Sequence, residues 1–147
     1  MKQKSLQELR DVAEVRSVLD YEMSKQERLM RWADLLEENS HQSLRSLYET
    51  EYASLRNRAA MREDHSPLTV AFEDPLLRAQ GLQSDSYGDA IKFFGLSDGD
   101  LHYVVCYCLY GHTMTPKTVA LRVRALARKA SRRAIWQRMM AAVRGTR

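Results

Sequence analysis

The last third of this 147-residue sequence contains no aspartate or glutamate. Residues 101–147 carry ten lysines and arginines, whereas residues 1–100 carry thirteen of these against nineteen acidic residues. The two parts therefore have net charges of +10 and −6, although the whole chain carries only +4. This segregation predicts that the basic part contacts something anionic, either an acidic protein surface or a nucleic acid.

Cysteine and long apolar runs are also scarce. The only cysteines, Cys106 and Cys108, are one residue apart, which excludes a disulfide framework and favours a reducing, cytoplasmic location. The longest apolar run, Tyr103 to Tyr110, is far shorter than the ~20 residues that cross a bilayer. The first residues lack the apolar stretch of a signal peptide, so we expect no membrane partner.

Recognisable catalytic motifs are absent: the sequence has no nucleophile elbow, zinc-protease motif, Walker loop or dinucleotide-binding glycine motif. The nearest approach to a metal or nucleophile site is the order His102, Cys106, Cys108, His112. On a helix, Cys108 would lie about 200° round from Cys106, so the four side chains would not converge. Small core cysteines are the simpler interpretation, and we expect no metal, cofactor or enzymatic activity.

Residues 1–65 contain neither glycine nor proline, which favours helix. Two capping boxes, the second at Ser24–Glu27, mark helix starts. The pattern predicts antiparallel helices near 6–21, 25–38 and 42–62.

One apolar stripe in this acidic part has clear helical spacing. Leu29, Trp32, Ala33 and Leu36 follow each other at intervals of three, one and three residues, which places them on one helix face. A buried core face is the default interpretation. A partner or dimer face remains the alternative, because tryptophan is common among interface hot spots.

Prolines and glycines punctuate a turn-rich connector over residues 66–96. An extended segment is expected over 65–72. Short helices are expected from Pro75 to about Gly81, after the N-cap Asp74, and over 86–94.

Residues 97–147 return to helical signals, beginning with an N-cap at Ser97. Periodicity does not separate a helix from a strand over Tyr103–Tyr110, but the preceding cap favours helix. A helix is then predicted from Lys117 to about Lys129, and a separate last helix from Ser131 to Gly145.

The segment from Lys117 to Arg133 combines a basic face with an apolar stripe on its other side. Its order, helix, turn and basic second helix, resembles a helix-turn-helix arrangement, whose second helix would enter the DNA major groove. The candidate partner-binding or phosphate-binding residues are Lys117, Arg122, Arg124, Arg128, Lys129, Arg132 and Arg133.

The sequence as a whole predicts an all-α protein: a single compact domain of six to eight helices over residues 1–147. We expect a non-enzymatic protein interaction or adaptor module, whose partner is an acidic protein surface or a second copy of the chain. The alternative is a nucleic-acid-binding regulator that places the basic helix on phosphates.

Overall fold

The computed structural model describes residues 21–47, 66–106 and 113–144. The fold is all-α as predicted, with six helices and one pair of two-residue strands in these ranges. The predicted helix near 6–21 and most of that near 42–62 lie outside the described residues. In chain order the elements are α1 Lys25–Glu38, β1 Leu44–Arg45, α2 Pro67–Glu73, α3 Pro75–Ala79, α4 Tyr87–Phe94, α5 Asp98–Val105, β2 Thr113–Met114 and α6 Pro116–Arg144.

Helix α1 has the predicted bounds because its capping box is formed. The Ser24 hydroxyl accepts a hydrogen bond from the Glu27 amide at 3.3 Å, and the Glu27 carboxylate accepts one from the Ser24 amide at 2.7 Å. Hydrogen bonds from Ser24 and from the Tyr21 hydroxyl lower the pKa of Glu27 to about 2. The cap therefore keeps its charged form down to acidic pH.

The expectation of an extended segment over 65–72 is wrong, because α2 is helical from Pro67 to Glu73. The Ser66 side chain accepts a hydrogen bond from the Thr69 amide at 3.1 Å, and proline occupies the first helical position. Proline fits there because the first helical amide has no intrahelical acceptor. Asp74 and Pro75 form the same cap at the start of α3, where the sequence prediction is confirmed.

The predicted short helix α4 is also confirmed. Ser86 caps its start by accepting a hydrogen bond from the Asp89 amide. Gly95 ends it with φ of 59°, a left-handed conformation that glycine adopts without a Cβ clash.

Helix α5 begins after the predicted N-cap Ser97 and ends at Val105. The first residues of the run Tyr103–Tyr110 are therefore helical, as favoured, and residues 107–110 lie outside the described ranges. Asp100 lies in the first turn of α5 and its amide donates to the Ser97 hydroxyl at 3.1 Å. The acids around Gly99 thus support the start of the helix.

The prediction that a helix begins near residue 42 is wrong, because Leu44 and Arg45 form strand β1. This strand pairs antiparallel with β2, with Leu44 opposite Met114 and Arg45 opposite Thr113. Leu44 and Met114 are both buried. The pairing joins segments far apart in the chain, so local helical spacing gave no sign of it.

The predicted break at Ser131 is also wrong, because α6 is one continuous helix of 29 residues. Its start is capped by Thr115, whose hydroxyl accepts a hydrogen bond from the Thr118 amide at 3.3 Å. A single serine between Ala130 and Arg132 costs a helix only a few tenths of a kcal/mol, roughly, so it does not end one.

The core is built around Trp32 of α1. Its indole ring stacks on Phe94 with centroids 4.7 Å apart, and its Nε1 donates to the Pro67 carbonyl at 2.9 Å. These contacts join α1 to α4 and α2, while α6 packs along α1. Leu29, Trp32 and Leu36 are all fully buried, so the structure places this face in the core.

An ion pair between the buried Asp74 and the partly exposed Arg31 fixes α3 beside α1. Asp74 accepts hydrogen bonds from Nη2 and Nε of Arg31 at 2.8 and 3.2 Å, and it also caps α3 through the Leu77 amide. Such two-point contacts set orientation as well as distance.

Candidate interaction surface on the C-terminal helix

Helix α6 has two halves with different environments. In the inner half, residues 116–130, the side chains of Val119, Ala120, Val123 and Ala127 are fully buried. In the outer half, residues 131–144, every residue from Arg132 onward is exposed. At a rise of about 1.5 Å per residue, the outer half is roughly 20 Å long.

The outer half exposes five large apolar side chains, of which Val143 is the last. We call the first four the outer stripe: Ile135, Trp136, Met139 and Met140. Ile135 is 54% exposed, Trp136 63% and Met139 62%. Each recurs four residues from another member of the stripe, so they share one helix face. Tryptophan and methionine are typical of interface cores, and side chains of this size rarely cluster on a surface without a use.

The outer stripe lies on the opposite side of α6 from the buried face. Ile135 follows Val119 by sixteen residues, and Met139 follows Val123 by the same interval. At about 100° per residue, each stripe residue is turned about 160° from its buried counterpart. The outer stripe is therefore not a continuation of the face that packs on α1.

Arg124, one of the predicted partner-binding residues, contacts acids of its own chain. Its Nη2 lies 2.7 Å from Asp34 Oδ1 and 2.8 Å from Glu37 Oε2, and its Nε donates to Glu37 Oε1 at 3.1 Å. These hydrogen bonds lower the pKa of Glu37 and raise that of Arg124. The contacts hold the inner half of α6 antiparallel to α1.

Two more predicted residues also contact the chain itself. Arg122 donates to the Tyr103 carbonyl at 3.0 Å and lies over the Tyr103 ring. The Lys129 amine lies 3.2 Å from Asp100. Burial raises the pKa of Asp100, but hydrogen bonds from Ser97 and Lys129 outweigh it and keep that pKa below its ordinary value.

The remaining predicted residues, Lys117, Arg128, Arg132 and Arg133, have exposed side chains. Arg128 precedes Ile135 and Trp136 by about two helical turns, and Arg132 precedes them by about one turn, on the same face. The outward face of α6 therefore begins with arginines and continues as the outer stripe.

A groove runs between the start of α1 and the outer half. It has a volume of about 450 Å³, and its charged lining residues are Lys25, Arg133 and Arg138. Burial, followed by the charges of Arg133 and Lys129, holds the pKa of Lys25 below its ordinary value against the opposing effect of Asp100. The groove thus adds positive potential on the α1-facing side of the outer half, where Ile135 is the stripe residue that lines it.

The outer stripe was not predicted from the sequence, because the basic segment that stood out in the sequence ends at Arg133. Ile135, Trp136, Met139 and Met140 were within the predicted last helix, and their four-residue recurrence was visible. The missing information was that α6 is continuous, since only a continuous helix fixes the angle between its inner and outer faces.

The histidine and cysteine cluster is only partly described. Cys106 is a buried free thiol whose carbonyl accepts a hydrogen bond from Ser46, while Cys108 and His112 lie outside the described residues. Among residues 21–47, 66–106 and 113–144, no three metal-binding side chains converge on a common point.

Comparison with known proteins gives no relative: no family model, no curated protein and no solved structure matches the chain. In the described part of the chain, no helix combines the length and apolarity needed to cross a membrane. Inference about function therefore depends on the surface itself.

Proposed function

We propose that the protein is a non-enzymatic interaction module that binds a protein partner through the outer half of α6. The observation that carries this proposal is the outer stripe, exposed on the side of α6 that faces away from its own core. Binding energy at protein interfaces concentrates in a few aromatic and arginine side chains at the centre of the contact. Trp136 and Arg132, one turn apart, provide that combination.

The nucleic-acid alternative draws support from the exposed Arg128, Arg132 and Arg133. Against it, Arg122, Arg124 and Lys129 are engaged with Tyr103, with α1 and with Asp100. The outer stripe itself can donate only the Trp136 indole N–H to a phosphate or a base edge. We therefore favour a protein partner, and a cytoplasmic location agrees with the free thiol of Cys106.

The test uses three baits in affinity purification from the native host, each with and without nuclease. The first is the wild-type chain, and the second carries Ile135→Gln, Trp136→Gln and Met139→Gln. The third is a matched control, Leu121→Gln, which also removes an exposed apolar side chain from α6 but outside the outer stripe. All three baits should melt alike, because exposed substitutions usually change stability by less than about 0.5 kcal/mol each.

We expect proteins that the wild type and Leu121→Gln retain, that the triple variant loses, and that nuclease does not release. Equal retention by all three baits would contradict the proposal. Retention that nuclease abolishes would favour the nucleic-acid alternative.

A further inference from the structure

We propose that the segment which docks on the outer stripe is an acidic amphipathic helix of another protein. This inference rests on the proposed function and specifies its partner. The stripe presents apolar side chains in a row, and the charged residues of the outer half itself, Arg132, Arg133, Arg138 and Arg144, are all positive. An occupant that satisfies both features carries an apolar face with carboxylates at its edges.

The spacing of the stripe indicates a helical occupant. Arg132, Trp136 and Met139 are separated by four and three residues, which is the spacing of a coiled-coil seam. A second helix packs on such a row by fitting its side chains between those of the first. Strand addition is the main alternative for an extended peptide, but α6 offers no open strand edge.

The outer half of a second copy of the chain is poorly suited to bind the outer stripe. No residue from 101 to 147 is acidic, so pairing two outer halves would bring eight arginines together without a counter-charge. Like charges across an interface oppose association. Residues 1–20 of the chain itself carry four basic and four acidic residues, so they lack the net negative charge that the surface requires.

An anionic bilayer also fits poorly. Membrane-surface helices separate an apolar face from a charged face around the helix. Here Arg128 and Arg132 lie in line with Trp136 on the same face. Arginines along the apolar row suit carboxylates at fixed positions on a folded partner better than a layer of acyl chains.

The test uses the full-length protein and peptides that lack tryptophan. The first peptide is a helix former with leucines at coiled-coil spacing and glutamates beside them. The second replaces each glutamate by lysine, and the third has the composition of the first in scrambled order. Trp136 reports binding by a blue shift of its exposed emission, while the buried Trp32 supplies a constant background.

Charge dependence is measured with two matched double variants. Arg132→Gln with Arg133→Gln removes charge beside the stripe, whereas Arg78→Gln with Lys92→Gln removes exposed charge from α3 and α4. We expect the acidic amphipathic peptide to bind the wild type and the second double variant equally. The acidic peptide should bind the first double variant roughly 10-fold or more weakly than it binds the wild type. The lysine and scrambled peptides should bind the wild type more weakly than the acidic peptide by a similar factor.

Binding of the lysine or scrambled peptide as tightly as the acidic one would overturn this inference. So would tighter binding of a short DNA duplex or of phosphatidylserine vesicles, or dimerisation of the protein alone by sedimentation. The affinity purification can yield partners that depend on the outer stripe and resist nuclease while the acidic peptide fails to bind. In that case the proposed function stands, and the inference that the partner is an acidic helix is wrong. If the stripe variant retains every partner, the proposed function itself fails.

Discussion

The inner and outer halves of α6 have similar compositions, but their apolar side chains lie in different environments. Val119 and Val123 of the inner half are fully buried against the core, whereas Ile135 and Met139 of the outer half are exposed. The two sets lie about 160° apart around one continuous helix. The comparison teaches that apolar periodicity along a helix does not by itself say which stretch stabilises the fold.

The largest predicted difference between the halves concerns the two tryptophans. Trp32, in the core of the part of the molecule that the inner half belongs to, is fully buried, while Trp136 in the outer half is 63% exposed. Trp32→Ala should lower the free energy of unfolding by ~3–5 kcal/mol, because it leaves a cavity. Trp136→Ala should change it by less than about 0.5 kcal/mol. Urea denaturation measures both, and similar losses for the two variants would break the distinction.

A second pair of substitutions tests whether the halves are coupled. Ala127→Pro in the buried inner half should cost ~3 kcal/mol or more, because proline removes a helical hydrogen bond and clashes with the preceding turn. Ala141→Pro, near the end of the outer half, should lose only local helicity, seen as a small drop in ellipticity at an unchanged melting temperature. A large fall in melting temperature for Ala141→Pro would show that the outer half belongs to the core.

The sequence predicted those elements whose signals are local. The capping box at Ser24 gave the start of α1, and the cap at Asp74 gave the start of α3. The equivalent cap at Ser66 was overlooked, since the apolar residues after it suggested an extended segment. In contrast, the pairing of Leu44 with Met114 depends on tertiary structure and has no local signal.

The candidate surface was predictable in charge but not in geometry. Its positive sign followed from the absence of acids after residue 100. The sequence did not show which arginines are available to a partner. The contacts of Arg124 with Asp34 and Glu37 depend on how α6 packs along α1. The position of the outer stripe required the continuity of α6 through Ser131.

Smaller, pH-dependent effects should distinguish inner from outer arginines. Arg124 lowers the pKa of Glu37 from its ordinary value of 4.5. A lowered carboxylate pKa contributes stability that is present above the unfolded-state pKa and lost as pH falls through the folded-state pKa. Arg124→Gln should therefore lower the melting temperature slightly at pH 7, and the difference from wild type should vanish in acid.

Arg132→Gln provides the control for this measurement, since Arg132 is exposed in the outer half. Its melting temperature should match that of the wild type at both pH values. A difference for Arg124→Gln that persists unchanged in acid would show that its effect does not come from Glu37.

The central claim is that Trp136 of the outer stripe faces solvent, whereas Trp32 of the core does not. Acrylamide quenching of tryptophan emission, compared between the wild type and Trp136→Phe, tests it most directly. The wild type should show one protected, blue component from Trp32 and one readily quenched, red component from Trp136, and Trp136→Phe should retain only the protected one. Emission from the wild type that is protected throughout would contradict the account, because the outer stripe would then be covered by the chain itself or by a second copy.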